Sequence, residues 1–132
     1  MYIYYDKNSD YLELFFETVA NYADADETNE SVAIFRSEKD DSIVGYALDN
    51  ASKEIQHFDR LDPIDKLAAL IKIARQRRDW SQEEVAQRLG ISLRHYQRLE
   101  GGQDTTLSVL SELATIFPET EFGVLLEKKR TA

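Results

Sequence analysis

In the stretch ISLRHYQRLEGG, Ile91 to Gly102, four side chains are spaced so that they can act together. Leu93 with Gln97, and Arg94 with Arg98, are i, i+4 pairs, so on a helix all four share one face. A guanidinium can donate two parallel hydrogen bonds to O6 and N7 of guanine, which makes Arg94 and Arg98 the leading candidates for reading bases. Gln97 can read adenine or touch a phosphate, and Leu93 can meet a thymine methyl. The same residues would make an ordinary solvated surface if nothing set them against DNA. The formal charge of −9 also opposes a polyanion.

The charge is unevenly distributed. Residues 1–60 hold 14 Asp/Glu against 5 Lys/Arg and carry 10 of the 14 aromatic residues, whereas residues 61–132 hold 11 charges of each sign. Between Lys66 and Arg98 eight basic residues face Asp79, Glu83 and Glu84, a local net of +5. The acidity belongs to one half and the candidate DNA surface to the other.

The elements that would position the four residues are helical. Ser81 with Glu84 has the spacing of a capping box, Gly90 suits a left-handed helix stop, and Ser92 caps a helix that ends at Gly101. Before them Ile64, Leu67, Ile71 and Ala74 predict an amphipathic helix running to about Arg78, with Pro63 in its first turn. After them Leu107, Leu110, Ala114 and Phe117 predict a fourth helix, which Pro118 ends. Phe122, Leu125 and Leu126 predict a fifth, finishing in a basic EKKR tail. On the helix from Ser92, Tyr96 and Leu99 fall on the inner side with Val85, Ala86 and Leu89, and the Tyr96 hydroxyl must reach solvent or a partner. Trp80 reads as a packing residue just before the cap.

Two short helices joined by GIS have the helix-turn-helix arrangement. The segment LAALIKIARQRRDWSQEEVAQRLGISLRHYQRLEGGQDTTLSVLSELATIF closely resembles the Xre family of Cro-like and phage-repressor-like DNA-binding domains, over residues 61–127. That resemblance implies that Gln82 binds a backbone phosphate at the start of its helix, where amide donors and the helix dipole favour an anion. Arg88, Ser92, His95, Gln103 and Thr105 are flanking phosphate candidates, and Arg75 with Glu100 correspond to a structural ion pair of the family. It also implies a homodimer on a palindromic operator in double-stranded DNA, because one recognition helix reads only a few base pairs.

Residues 1–60 have period-two character instead. Tyr2–Asp6, Tyr11–Glu17, Ser31–Ser37 and Ile43–Asp49 predict four strands of an antiparallel meander, with TVANYADADETNE as an acidic loop and DNASKEIQHF as a short helix or turn. Leu12, Leu14 and Phe16 share one face of the second strand; Tyr11, Glu13, Phe15 and Glu17 share the other. The chain is therefore expected to be α+β: a four-stranded meander with a short helix in domain 1–60, then a five-helix helix-turn-helix domain in 61–132. YYDKNSDYLELFF followed by VAIFRSEKDDSIVGYALDNASKEI resembles, over residues 1–56, a small bacterial domain family reading Y-D-x-x-x-D-x-L and V-G-x-x-x-x-D-A-S, sometimes encoded beside toxin genes. Here the family's LDAS appears as LDNAS, which leaves the strand end open.

Other chemistries find little support. There are no cysteines, only His57 and His95, and five glycines with no phosphate-binding loop, so no catalytic residues, no metal site and no cofactor are expected. Asp24 and Asp26 alternate as calcium ligands do, but the loop lacks the required glycine and has Phe35 at the position of the bidentate glutamate. No membrane span or signal peptide is read, which suits a cytoplasmic protein. The expected function is a transcriptional repressor, in its sharper version the antitoxin-like autoregulator of a toxin-antitoxin operon, with the acidic domain binding a basic toxin or dimerising the chain. The alternatives are a phage or mobile-element repressor without a toxin, and an interaction adaptor that has lost DNA binding.

Overall fold

A computed structural model describes residues 1–122 and 125. The chain divides into two compact units, Met1–Ile55 and the part from Gln56 onward. The first holds strands β1 (Tyr2–Asp6), β2 (Tyr11–Phe15), β3 (Asn21–Ala25), β4 (Val32–Ser37) and β5 (Ile43–Leu48) and most of helix α1 (Ala51–His57). The second holds α2 (Pro63–Arg77), α3 (Gln82–Leu89), α4 (Leu93–Glu100) and α5 (Leu107–Ile116). The class is α+β. The helix expected from Phe122, Leu125 and Leu126, and the EKKR tail, lie largely outside the described residues. No helix among those described is long and apolar enough to cross a membrane.

The sheet corrects the expected meander. It has five antiparallel strands in the order β1-β2-β5-β4-β3, so β5 lies between β2 and β4 rather than at an edge. Across its inner face the register aligns Leu12, Leu48 and Val32 in one row and Leu14, Tyr46 and Ile34 in the next, all buried. β5 has a neighbour on each edge and its outward positions are the small Gly45 and Ala47, with the Phe15 ring close over Gly45, so Val44 to Leu48 are buried without interruption. That is why IVGYAL is an apolar run rather than an alternation. The five residues 16–20 carry the chain across the end of the sheet from β2 to its far edge, anchored where Phe16 N donates to Val44 O and Glu38 N donates to Ala20 O. Phe16 lies beyond the end of β2 and is partly exposed, but its ring meets Tyr46, the partner of Leu14, edge-on at 6.1 Å, so it stays on the side of Leu12 and Leu14.

The supposed acidic loop contains β3. Asn and Asp have low strand propensity, but pairing with β4 supplies the missing stability. There Arg36 Nε meets Asp24 Oδ2 at 3.1 Å, and the Tyr22 hydroxyl donates to Asp41 Oδ1 at 2.6 Å.

The Y-D-x-x-x-D spacing has a structural cause. Asp6 closes its own turn by accepting from Asn8 N and the Ser9 hydroxyl. Asp10, at φ 52°, accepts from the Tyr5 hydroxyl at 2.7 Å and from Ser52 N and its hydroxyl at 3.0 and 2.7 Å. It therefore ties the β1–β2 turn to the first turn of α1, satisfying donors that a helix start leaves open. Asn50 takes φ 53° after β5 has ended at Leu48, which accommodates the extra residue of LDNAS.

In the second unit α2 is more deeply buried than one amphipathic stripe. Lys66 to Ile71, Ile73 and Ala74 are all buried, while Ile64 is only half-buried. Lys66 reaches out of this buried stretch to donate to the carbonyls of Gln56 and Phe58 at 3.2 and 3.0 Å. On α5 the buried residues are Leu110 and Leu113, followed by Phe117. Leu107 and Ala114 are exposed, against expectation, because Leu113 rather than Ala114 takes the inward position.

Removing the Asp10 carboxylate deletes three hydrogen bonds at once. Asp10→Ala is expected to lower the unfolding free energy by about 1.5–3 kcal/mol, the range for hydrogen bonds to a charged group, read from urea denaturation followed by circular dichroism.

Candidate nucleic-acid interface

Each helix of this region is started and stopped by local chemistry. Ser81 accepts from Glu84 N while Glu84 reaches back to Ser81 N, and Gly90 takes φ 69°, ψ 30° to stop α3. Ile91 and Ser92 then turn the chain, and the Ser92 hydroxyl accepts from His95 N to start α4. A side chain at position 90 would be strained by the left-handed backbone although nothing lies close enough to obstruct it. Gly101, in contrast, stays right-handed at φ −85° and bonds back to Gln97 and Arg98 carbonyls.

Val85, Ala86 and Leu89 of α3 are buried with Tyr96 and Leu99 of α4. Their burial leaves Leu93, Arg94, Gln97 and Arg98 exposed together on the opposite side of α4. Leu93 is 40% exposed and offers an apolar surface on the same face as the two guanidiniums.

Beneath that face lies a buried ion pair. Arg75 Nε is 2.6 Å from Glu100 Oε2, and Arg75 Nη2 donates to Oε1 at 3.1 Å, a two-pronged contact between α2 and the end of α4. Arg75 Nη1 also donates to the Trp80 carbonyl at 3.0 Å, which fixes the entry into α3. Burial opposes the Arg75 charge, but the bond and charge of Glu100 outweigh it and raise its pKa. Gln82 extends the network: its Nε2 donates to Glu100 Oε1 at 3.1 Å, and its Oε1 accepts from Gln97 Nε2 at 3.2 Å. A continuous chain Arg75, Glu100, Gln82, Gln97 thus runs from the interior to the exposed face. Gln82 is more than a phosphate candidate here, since it also orients Gln97.

Tyr96 departs from expectation. Its side chain is fully buried, and its hydroxyl is withdrawn from solvent beside Glu100 and Arg75, with no well-formed hydrogen bond among the described residues. Burial, followed by the nearby Glu100 charge, drives its pKa far above the ordinary phenol value, so it stays neutral.

The phosphate candidates are not equivalent. Arg88 is exposed and its guanidinium carbon lies 4.1 Å from the centre of the Trp80 ring. Arg78 approaches the same ring at 4.8 Å while gripping Glu119 at 2.6 and 3.0 Å, and Trp80 in turn meets Phe117 at 5.6 Å. Trp80 therefore packs as expected and also holds Arg88, through contacts between residues with no periodic relation in the sequence. Ser92 and Gln103 are exposed and His95 is half-buried, with His95 N already bound to Ser92. Thr105 differs from the others: its hydroxyl oxygen is buried without a hydrogen-bond partner among the described residues, and its backbone N donates to Asp104. It lines a cavity of about 20 Å³ with Pro63, Leu67 and Leu110. Among the described residues no group of three or more His, Asp or Glu is placed to hold a metal.

Residues 71–124 match the family described as helix-turn-helix, which supports a DNA-binding transcription regulator. The match begins inside α2 and ends beyond α5, and so takes in the Arg75–Glu100 pair and the exposed face of α4. No curated protein and no solved structure matches the chain.

A buried hydroxyl without a well-formed hydrogen bond opposes folding by its lost hydration. Tyr96→Phe is expected to raise stability by about 1–2 kcal/mol, seen as a higher melting temperature, with the α4 backbone unchanged by NMR. A lower melting temperature would mean that the hydroxyl is bonded in solution.

Proposed function

We propose that the chain is a sequence-specific, homodimeric transcriptional repressor of the Xre type that regulates its own operon, with the N-terminal unit as a partner-binding or dimerising module. The observation that carries this reading is the exposed set Leu93, Arg94, Gln97 and Arg98 on a short capped helix whose inner side is braced by the Arg75–Glu100 pair. Such a helix can lie in the major groove with two guanidiniums and one amide aimed at base edges. Arg88 and the start of α3 flank it and can hold phosphates, which would set the register without reading sequence. Two copies would read half-sites about one DNA turn apart.

The sharper reading is an antitoxin whose acidic N-terminal unit binds a basic toxin. Its support is the segregation of charge, with 14 acidic and 5 basic residues in positions 1–60 and a basic excess around the recognition helix. An open reading frame for a small basic protein beside this one, and co-purification of the two products, would test it.

The DNA reading is tested by mobility-shift titration on the upstream region of its own gene. Arg94→Ala or Arg98→Ala should each weaken specific binding about 5- to 150-fold and relax base preference, equivalent to about 1–3 kcal/mol. Arg88→Ala should weaken binding to all sequences alike and reduce the salt slope by about one. No retardation by the unaltered protein, even at low salt, would leave the adaptor reading in its place.

A further inference from the structure

The sheet of the first unit has a second face whose make-up differs from the core side. Along one row the register sets Glu13 opposite Ala47, Ala47 opposite Ala33, and Ala33 opposite Ala25, so three neighbouring strands each contribute an alanine. At about 4.8 Å between strands, this floor is roughly 10 Å wide. One row away, Phe15 and Phe35 stack over Gly45 with centroids 4.7 Å apart. A Cβ at Gly45 would fall 2.3 Å from the Leu14 carbonyl oxygen and 2.9 Å from the Phe15 ring, so only glycine lets the two rings close over β5. On the other side of the floor stand Tyr11 and Asp49. The alanines, Phe35, Tyr11 and Asp49 line a trough of about 370 Å³ that runs across the strands.

The trough is apolar at its floor and acidic at its rim. Glu13, Glu30 and Asp49 line it, and no Lys or Arg among the described residues does. None of the three carboxylates has a cationic partner among the described residues; Glu13 accepts only from the Tyr11 hydroxyl, at 2.8 Å. The Tyr11 phenol registers this field: burial first, then Glu13 and Asp49, push its pKa up to about 12. A second copy docking the same face would set these carboxylates against each other, because an isologous contact meets its own charges. A long cationic side chain has the opposite fit. Its methylene stem can lie along the alanines and aromatic walls while its head meets the rim carboxylates.

We propose that the alanine-floored trough on the outer face of the five-stranded sheet is the docking site for a cationic, lysine- or arginine-bearing segment of a partner protein. This rests on the reading of the N-terminal unit as a partner-binding module and assigns that module its contact surface. The alanines at 25, 33 and 47 are then the shape of the site, and Glu13 and Asp49 are its charge.

The test is an NMR titration of the isotope-labelled full chain with a hexa-arginine peptide. Amide shifts are expected to centre on Tyr11, Glu13, Ala33, Ala47 and Asp49. Ala33→Leu fills the trough without altering charge, and Glu13→Gln with Asp49→Asn removes charge without altering shape; each should weaken binding at least about tenfold. Glu27→Gln with Glu38→Gln removes the same charge from exposed positions outside the trough and should leave affinity within about twofold. Equal weakening by both charge pairs with no effect of Ala33→Leu would overturn the proposal in favour of diffuse attraction. A dimer that Ala33→Leu dissociates in sedimentation would overturn it in favour of a second copy on this face. Should the product of an adjacent gene bind unaltered chain and Ala33→Leu equally, the partner-binding reading would stand and the trough would fall. DNA retardation by Ala33→Leu should match that of the unaltered chain, which separates failure here from failure of the repressor reading.

Discussion

Arg75 and Glu100 lie 25 residues apart and are both largely withdrawn from water, with side chains 12% and 6% exposed. Burying two charges costs several kcal/mol per ion, and their attraction offsets this only when the geometry is good and the remaining lone pairs and protons are bonded. Here they are bonded: Arg75 also holds the Trp80 carbonyl, and Glu100 also accepts from Gln82. The consequence is positional rather than a large net stabilisation. One contact fixes α2 against the end of α4, the loop into α3, and through Gln82 the side chain of Gln97. Removing either charge would leave the other buried and uncompensated, at a cost of about 3–5 kcal/mol.

Tyr96 shows what this arrangement tolerates. The Tyr96 ring is fully buried on the inner side of α4, with its hydroxyl beside the ion pair and without a well-formed hydrogen bond among the described residues. The ring supplies the volume that sets the angle between the helices, and the hydroxyl adds a desolvation penalty. The exposed face of α4 owes its geometry to this inner side, because a helix eight residues long cannot present a stable surface without tertiary packing.

The two units separate opposing electrostatic demands within one chain. Thirteen of the 14 acidic residues of positions 1–60 lie in the first unit, the other being Asp59, while Lys66 to Arg98 keeps a local excess of +5. In the first unit, much of the polar chemistry closes turns and caps, with Asp6, Asp10, Asp26 and Asp40 each accepting from nearby backbone or hydroxyl donors. Glu13 and Asp49 stand apart because they border an apolar floor rather than close a turn.

What the sequence determined by itself was local in origin. The capping box at Ser81 and Glu84, the stop at Gly90, the cap at Ser92 and the alternation of Leu12 and Leu14 each depend on residues a few positions apart, and the structure contains all of them. The α+β class followed from the change of period between the two halves. Tertiary structure decided everything that depended on distant partners: the insertion of β5 between β2 and β4, the conversion of NYADA into an edge strand, the inward turn of the Thr105 hydroxyl, the stacking of Arg88 on Trp80 and the link from Glu100 through Gln82 to Gln97. The physical reason is that periodicity reports which face of an element is apolar, whereas strand order, the direction of a polar side chain and the closure of a network depend on what the rest of the chain sets against that face.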